Sequence, residues 1–168
     1  MPLMQPCFLR ETLALCKKER FHTAVDTSGF SAWDNFDAIR NLTDLFLYDL
    51  KIVDNDLHRA YTGVSNAIIH ENLSRLLAAG HRVRIRIPVV PNATFTPENI
   101  SRSIALLKSM PAAADGVDLL PFHNTAAHKY ARFNIRNGFE DVRSVPKNEL
   151  SEIKQQFEAA GFDVRTGG

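Results

Sequence analysis

Asp44-Leu45-Phe46-Leu47-Tyr48-Asp49-Leu50-Lys51 is an apolar run that closes on a carboxylate and an ammonium. Its length and its apolar character read as a β-strand buried on both faces. The polar end is where such a strand hands over to a loop. Three further segments repeat the arrangement: Val25-Asp26-Thr27-Ser28-Gly29, Ile85-Arg86-Ile87-Pro88 and Leu120-Pro121-Phe122-His123. Amphipathic helical patterns lie between them, so the strands are expected to run parallel and to bring their polar tips to one rim. In (β/α) folds that rim binds ligands, because strand ends converge there while the loops vary freely. Two carboxylates, an ammonium, a guanidinium and an imidazole on one rim suit a zwitterionic or phosphorylated small molecule.

Working outward, strands are predicted from His22 to Val25, Asp44 to Leu50, Arg82 to Val90, Val117 to Pro121 and Phe162 to Arg165. In the third of these, Val83, Ile85 and Ile87 alternate with Arg82, Arg84 and Arg86. The three guanidinia then share one face, which a solvated face would also explain. Pro6 suits the first turn of a helix whose Leu9, Leu13 and Cys16 recur on one side. Ser31 can cap a helix over Ala32 to Ile39. Asn66 to Ala79 carries the clearest stripe, Ile69, Leu73, Leu76 and Leu77, with Gly80 as its stop. Thr96-Pro97-Glu98 opens a helix with Ile100, Ile104 and Leu107 inward. Pro146 starts a last one, with Leu150, Ile153 and Phe157 inward and Gly161 at its end. Asn124 to Val145 reads as a long loop with one helical turn.

Five strands with helical crossovers make an α/β sheet but are too few to close an eight-stranded barrel. The expected fold is therefore a partial (β/α) TIM-type barrel of parallel strands, a single domain over residues 1–168. Met1-Pro2-Leu3-Met4-Gln5-Pro6 leads straight into a helix with no strand before it. Such a helix leaves part of its apolar face unmatched, and the expectation is a fragment whose N-terminal strands are missing.

Bulk properties exclude several classes. Hydrophobic residues make up 45% of the 168 residues and charged residues 23%, ordinary values for a globular protein with a real core. Twenty basic against nineteen acidic residues give a net charge of +1, which points to neither nucleic acid nor an anionic membrane. There is no bilayer-length apolar run and no signal-peptide pattern, and the expected compartment is the reducing cytoplasm. Cys7 and Cys16, the only cysteines, fit no metal-ligand spacing. His58, His70, His81 and His128 have no spacing partners, and His70 is expected far from the rim.

Pro2-Leu3-Met4-Gln5-Pro6, His22-Thr23-Ala24-Val25-Asp26-Thr27-Ser28-Gly29-Phe30, Asp49-Leu50-Lys51, Tyr61-Thr62-Gly63-Val64-Ser65-Asn66 and Leu119-Leu120-Pro121-Phe122-His123 occur in that order. Together they resemble the glycyl-radical-enzyme activating enzymes of the radical S-adenosylmethionine superfamily, those of the pyruvate formate-lyase type in particular. The likeness runs from Pro2 to about Tyr130 and more loosely to the end. It implies a partial (β/α) barrel holding a [4Fe–4S] cluster and S-adenosyl-L-methionine. Cleavage of that cofactor yields a 5′-deoxyadenosyl radical, which removes a hydrogen atom from a glycine of a partner enzyme.

Carried over residue by residue, the resemblance assigns Asp49, Leu50, Lys51, Arg86 and His123 to S-adenosylmethionine, with His123 near the ribose or adenine. It assigns Asp26, Thr27, Leu47 and Asp49 to a monovalent cation, Thr27 and Leu47 through their backbone. A cation there is reasonable, since two carboxylates facing a third repel strongly without one. An Asx-type turn begun by Asp26 would account for that residue as well. The implied partners are a glycyl radical enzyme and a flavodoxin or ferredoxin electron donor, with no nucleic acid and no membrane.

The front of the chain departs from the family. It has no C-x-x-x-C-x-x-C loop to hold three irons, and only Pro2 stands for the G-G-E-P motif. The chain resembles the C-terminal two thirds of an activase and is expected to be inactive alone. After His123, Asn124-Thr125-Ala126-Ala127 replaces the family's glycine. Two other classes are open on residues alone. One is a Schiff-base aldolase using Lys51, although a carboxylate at Asp49 favours the charged, unreactive amine. The other is a non-catalytic binding remnant.

Overall fold

The computed structural model describes residues 2–122 and 143–167. Five strands carry the fold: β1 (Ala24–Thr27), β2 (Leu45–Asp49), β3 (Val83–Val89), β4 (Gly116–Pro121) and β5 (Val164–Thr166). Each pairs in parallel with its neighbour in the order β1-β2-β3-β4-β5, and the sheet is not closed. Six α-helices connect or flank them among the described residues: α1 (Pro6–Lys18), α2 (Trp33–Arg40), α3 (Asn55–Thr62), α4 (Ala67–Ala78), α5 (Pro97–Lys108) and α6 (Lys147–Ala159). No helix among the described residues is long and apolar enough to cross a membrane.

Register divides the sheet into two unlike faces. In the parallel ladder Val25 lies beside Phe46, Tyr48 beside Ile85 and Ile87 beside Leu119. These side chains are all but fully buried and form one apolar cluster with Phe36 of α2, Leu73 and Leu76 of α4, and Phe157 of α6. On the alternate positions Asp26 lies beside Leu47, Asp49 beside Arg86, and Arg86 beside Asp118. The polar face of the sheet is the one that carries the rim residues.

Two expectations are corrected here. β2 is not buried on both faces: Phe46 and Tyr48 are fully buried, but Leu45, Leu47 and Asp49 are half-buried. Its apolar length is real, yet the helix-packed core takes only alternate side chains. Nor do Arg82, Arg84 and Arg86 form a solvated face. Arg84 is 7% exposed and donates from Nε to Asp118 Oδ1 at 2.6 Å and from Nη1 to Asp163 Oδ2 at 3.2 Å.

Local chemistry explains most element ends. Pro6 occupies the first turn of α1, and Thr96 caps α5 by accepting from the Asn99 backbone N–H at 3.1 Å. β1 starts two residues later than predicted because Thr23 is tied sideways: its N–H donates to Asp44 Oδ2 at 2.8 Å. α3 was not legible from periodicity, since His58 is its one buried residue, but Asp54 caps it and Gly63 ends it at φ 79°. Of the predicted loop from Asn124, residues 124–142 lie outside the described residues, while Val145 is buried. On α1, Leu13 is buried and Leu9 packs on the core, but Phe8 and Leu15 are 70% and 60% exposed.

Candidate functional site

The carboxyl ends of β1 and β2 and the middle of β3 bring Asp26, Asp49 and Arg86 together on the polar face, with Lys51 just beyond β2. Arg86 Nη1 forms an ion pair with Asp26 Oδ2. Its Nε stands 3.7 Å from Asp49 Oδ1, and Lys51 Nζ stands 3.9 Å from Asp49 Oδ2. Both of the latter separations exceed a hydrogen bond. Arg86 Nε and Asp49 Oδ1 are buried atoms, and neither has a hydrogen-bond partner among the described residues. A donor and an acceptor thus face the same gap unsatisfied. Burial pushes the Asp49 carboxyl above its ordinary pKa, Lys51 and Arg86 pull it back, and Asp26 adds to the rise.

Thr27 is buried, and its Oγ1 accepts from the Gly29 N–H at 3.0 Å. The turn after β1 is therefore closed by Thr27 rather than by an Asx turn at Asp26, whose carboxylate is committed to Arg86. Gly29 is held at φ +77°, and a Cβ there would lie 2.0 Å from the hydroxyl of Tyr48. That hydroxyl donates to Ile69 O at 2.7 Å, which locks α4 against the turn. Leu47 sits next to Asp26 in register. Leu50 is 1% exposed and donates from its N–H to Arg86 O at 2.9 Å, so β2 and β3 remain tied just below Lys51. Pro2, Asp26, Thr27, Ser28, Asp49 and Lys51 line one open hollow at this rim. His123 lies outside the described residues.

A second cavity of about 270 Å³ adjoins the first behind Asp49 and Lys51. His58 and His70 line it together with Phe30 and Ile69. The expectation that His70 lies far from the rim is corrected: in the first turn of α4, it lines the same cavity as Asp49 and Lys51. Burial, with His58 adding, lowers the His70 pKa, and its Nε2 has no partner among the described residues. His58 is 3% exposed, and its Nδ1 lies 2.8 Å from Val64 O. No group of three or more His, Cys, Asp or Glu among the described residues is placed to hold a metal ion.

Sequence reasoning missed three buried asparagines around these loops. Asn72 Nδ2 donates to Gly29 O at 2.9 Å and to Ser31 O at 2.8 Å. Asn66 Nδ2 donates to Ile52 O at 3.0 Å and to Val53 O at 2.8 Å. Asn99 reaches across from α5 to the same segment. A polar residue inside an apolar stripe was the signal available for Asn72.

No protein-family model matches the chain. Over 163 residues it is 35% identical to the trans-4-hydroxy-L-proline dehydratase activating enzyme of Clostridioides difficile, covering 96% of this chain and 53% of that protein. Over 153 residues it is 33% identical to the pyruvate formate-lyase-activating enzyme of Clostridium pasteurianum, covering 91% of this chain and 63% of that one. The chain therefore spans between about half and two thirds of the length of these curated relatives. Among solved structures, a domain of pyruvate-formate lyase-activating enzyme from Bacteroides vulgatus superposes with a TM-score of 0.84 at 26% identity, covering 100% of this chain and 94% of that one.

Proposed function

The glycyl-radical-enzyme activating enzymes of the radical S-adenosylmethionine superfamily are homologues of this chain, and from that premise we propose that its rim is the S-adenosylmethionine-binding part of such an activase. The observation that carries the reading is the convergence of Asp26, Asp49, Lys51 and Arg86, with Asp49 Oδ1 and Arg86 Nε left unmatched at one gap. A cofactor bearing an amino group, a carboxylate and ribose hydroxyls fits that set. Asp49 accepts from a hydroxyl or ammonium, while Arg86 and Lys51 donate to a carboxylate. Leu50 contributes through its place in the backbone, and His123 is assigned to the adenine side.

When bound, the cofactor would supply the radical chemistry that takes a hydrogen atom from a glycine of a partner. The residues of this chain bind and orient it. Asp26, the Thr27 and Leu47 backbones and Asp49 would hold a monovalent cation. Arg86 pairs with the same carboxylates, so guanidinium and cation are alternative counter-ions there. The residues do not fit a [4Fe–4S] cluster. Cys7 and Cys16 lie on one helix, and nine residues of helical rise separate them by about 13 Å. The chain alone is not expected to catalyse the reaction.

We infer a single domain over residues 1–168 and a cytoplasmic setting, with a glycyl radical enzyme of the pyruvate formate-lyase type as partner and a flavodoxin or ferredoxin as electron donor. Titration of the chain with S-adenosylmethionine across a sodium and potassium series tests the site. Asp49→Ala and Lys51→Ala should each weaken binding by ~1.5–3 kcal/mol, the worth of a charged contact. Asp26→Ala should make binding depend more steeply on cation concentration. If Lys51→Ala binds as tightly as the parent, the site is wrong.

A further inference from the structure

Between Lys51 and the start of α3 the backbone belongs to no strand or helix, so its polar groups need partners from elsewhere. Two asparagine side chains supply them. Asn99, in the first turn of α5, donates from Nδ2 to Lys51 O at 2.8 Å and to Thr94 O at 2.9 Å. Its Oδ1 accepts from the Val53 N–H at 2.9 Å. Asn66, at the start of α4, covers the carbonyls of Ile52 and Val53. Asn99 is 6% exposed and Asn66 3%, so these bonds are shielded from water.

We propose that Asn99, seconded by Asn66, is a positioning residue for the cofactor: it fixes the peptide that carries Lys51 and thereby sets where the ammonium meets Asp49 and a bound ligand. This rests on the functional reading above. Three features set Asn99 apart from an ordinary buried amide. It uses both its donors and its acceptor, it grips the chain on both sides of Ile52, and it ties that segment to Thr94 in the loop after β3. The β3 strand also bears Arg86, so one side chain couples two of the cationic contacts. A lysine side chain has several rotatable bonds, and anchoring its backbone removes the largest source of misplacement.

The experiment is a double-mutant cycle in the full chain, read by S-adenosylmethionine titration. Asn99→Asp keeps the acceptor for Val53 but turns a carboxylate toward the carbonyls of Lys51 and Thr94. It should weaken binding by about tenfold, within the range of coupled contacts. That loss should vanish in the Lys51→Ala background, where there is no ammonium left to misplace. Ile100→Val, a small core change on the same helix, should lower the melting temperature without weakening binding. Asn66→Asp serves as a second variant should Asn99→Asp fail to fold, with the same expected disappearance beside Lys51→Ala.

Binding as tight as the parent in Asn99→Asp, or a tenfold loss that persists beside Lys51→Ala, overturns the proposal. A parent that binds no cofactor overturns the functional reading and the role of Asn99 toward the cofactor with it. Hydrogen exchange of the Val53 amide separates the two failures, because it needs no ligand. Faster exchange in Asn99→Ala, which removes the Oδ1 that accepts from the Val53 N–H, supports the clamp, and unchanged exchange removes its structural basis.

Discussion

At Asp49 burial and ion pairing oppose each other, and burial prevails, leaving its carboxyl pKa raised. A carboxyl whose pKa is higher folded than unfolded contributes stability below its unfolded value and loses it as pH rises through the folded value. At neutral pH the ionised form is therefore a liability to the fold, kept at a position suited to a ligand. Asp49→Asn should raise the melting temperature at pH 7 by a few degrees. The difference from the parent should close as pH is lowered through the raised pKa, because both side chains are then neutral. Calorimetric melts from pH 4 to 8 check this, and a gain that grows in acid would contradict it. Asp26, Asp49 and Lys51 were legible in the sequence because each stands at the polar end of an apolar run. The asparagines were not. An amide early in a helix looks like a cap or a solvated face until the loop it serves is seen.

Among the elements, β3 shows how little a periodic pattern says about partners. The alternation of arginines and aliphatics identified the strand and its two faces correctly, yet it made Arg82, Arg84 and Arg86 look alike. In the fold they separate. Arg82 pairs with Asp115 at the surface, Arg86 joins the site, and Arg84 is buried between β4 and the segment leading into β5. Burial pulls the Arg84 pKa down, but Asp118 and Asp163 together more than offset it. Gly116 makes room for this pair, since a Cβ there would lie 2.7 Å from both Arg84 Nη1 and Asp163 O. Removing Asp118 leaves the buried guanidinium only the largely exposed Asp163, so Asp118→Ala should cost up to ~3 kcal/mol in denaturant unfolding. Replacing both, Arg84→Met with Asp118→Leu, should come within ~1 kcal/mol of the parent. Equal losses in the single and double variants would show that shape rather than charge governs the position. α3 escaped notice for the converse reason. Its buried side chain is a histidine, Leu57 and Tyr61 are half exposed at 52% each, and only its two caps marked it.

For the molecule as a whole, the parallel α/β architecture was readable because the strand and helix periods alternate so regularly, and the sheet is open as expected. Its β1 edge has a neighbour on one side only among the described residues. In the segment leading into β1, Met4, Phe8, Leu15 and Phe21 are 72%, 70%, 60% and 65% exposed. Unpaired backbone groups beside exposed apolar side chains favour association between chains. Sedimentation of the chain should show a molecular weight that climbs with concentration. Phe8→Glu combined with Leu15→Lys should shift it toward the monomer while changing unfolding free energy by no more than ~1 kcal/mol, as expected for surface positions. A parent that stays monomeric at all concentrations would show that this surface is inert.

Among the described residues, spatial order equals chain order across the sheet. From β2 to β5 each described strand therefore docks on the described strand synthesised before it. A ribosome delivers the chain in the sequence the sheet requires. Growth can proceed from the β1 side one crossover at a time, through one helix between β1 and β2, two between β2 and β3, and one between β3 and β4. The parallel pairing that makes such sheets slow to form in bulk is thereby turned into a series of searches between consecutive strands, and the newest strand always offers the edge on which the next one docks.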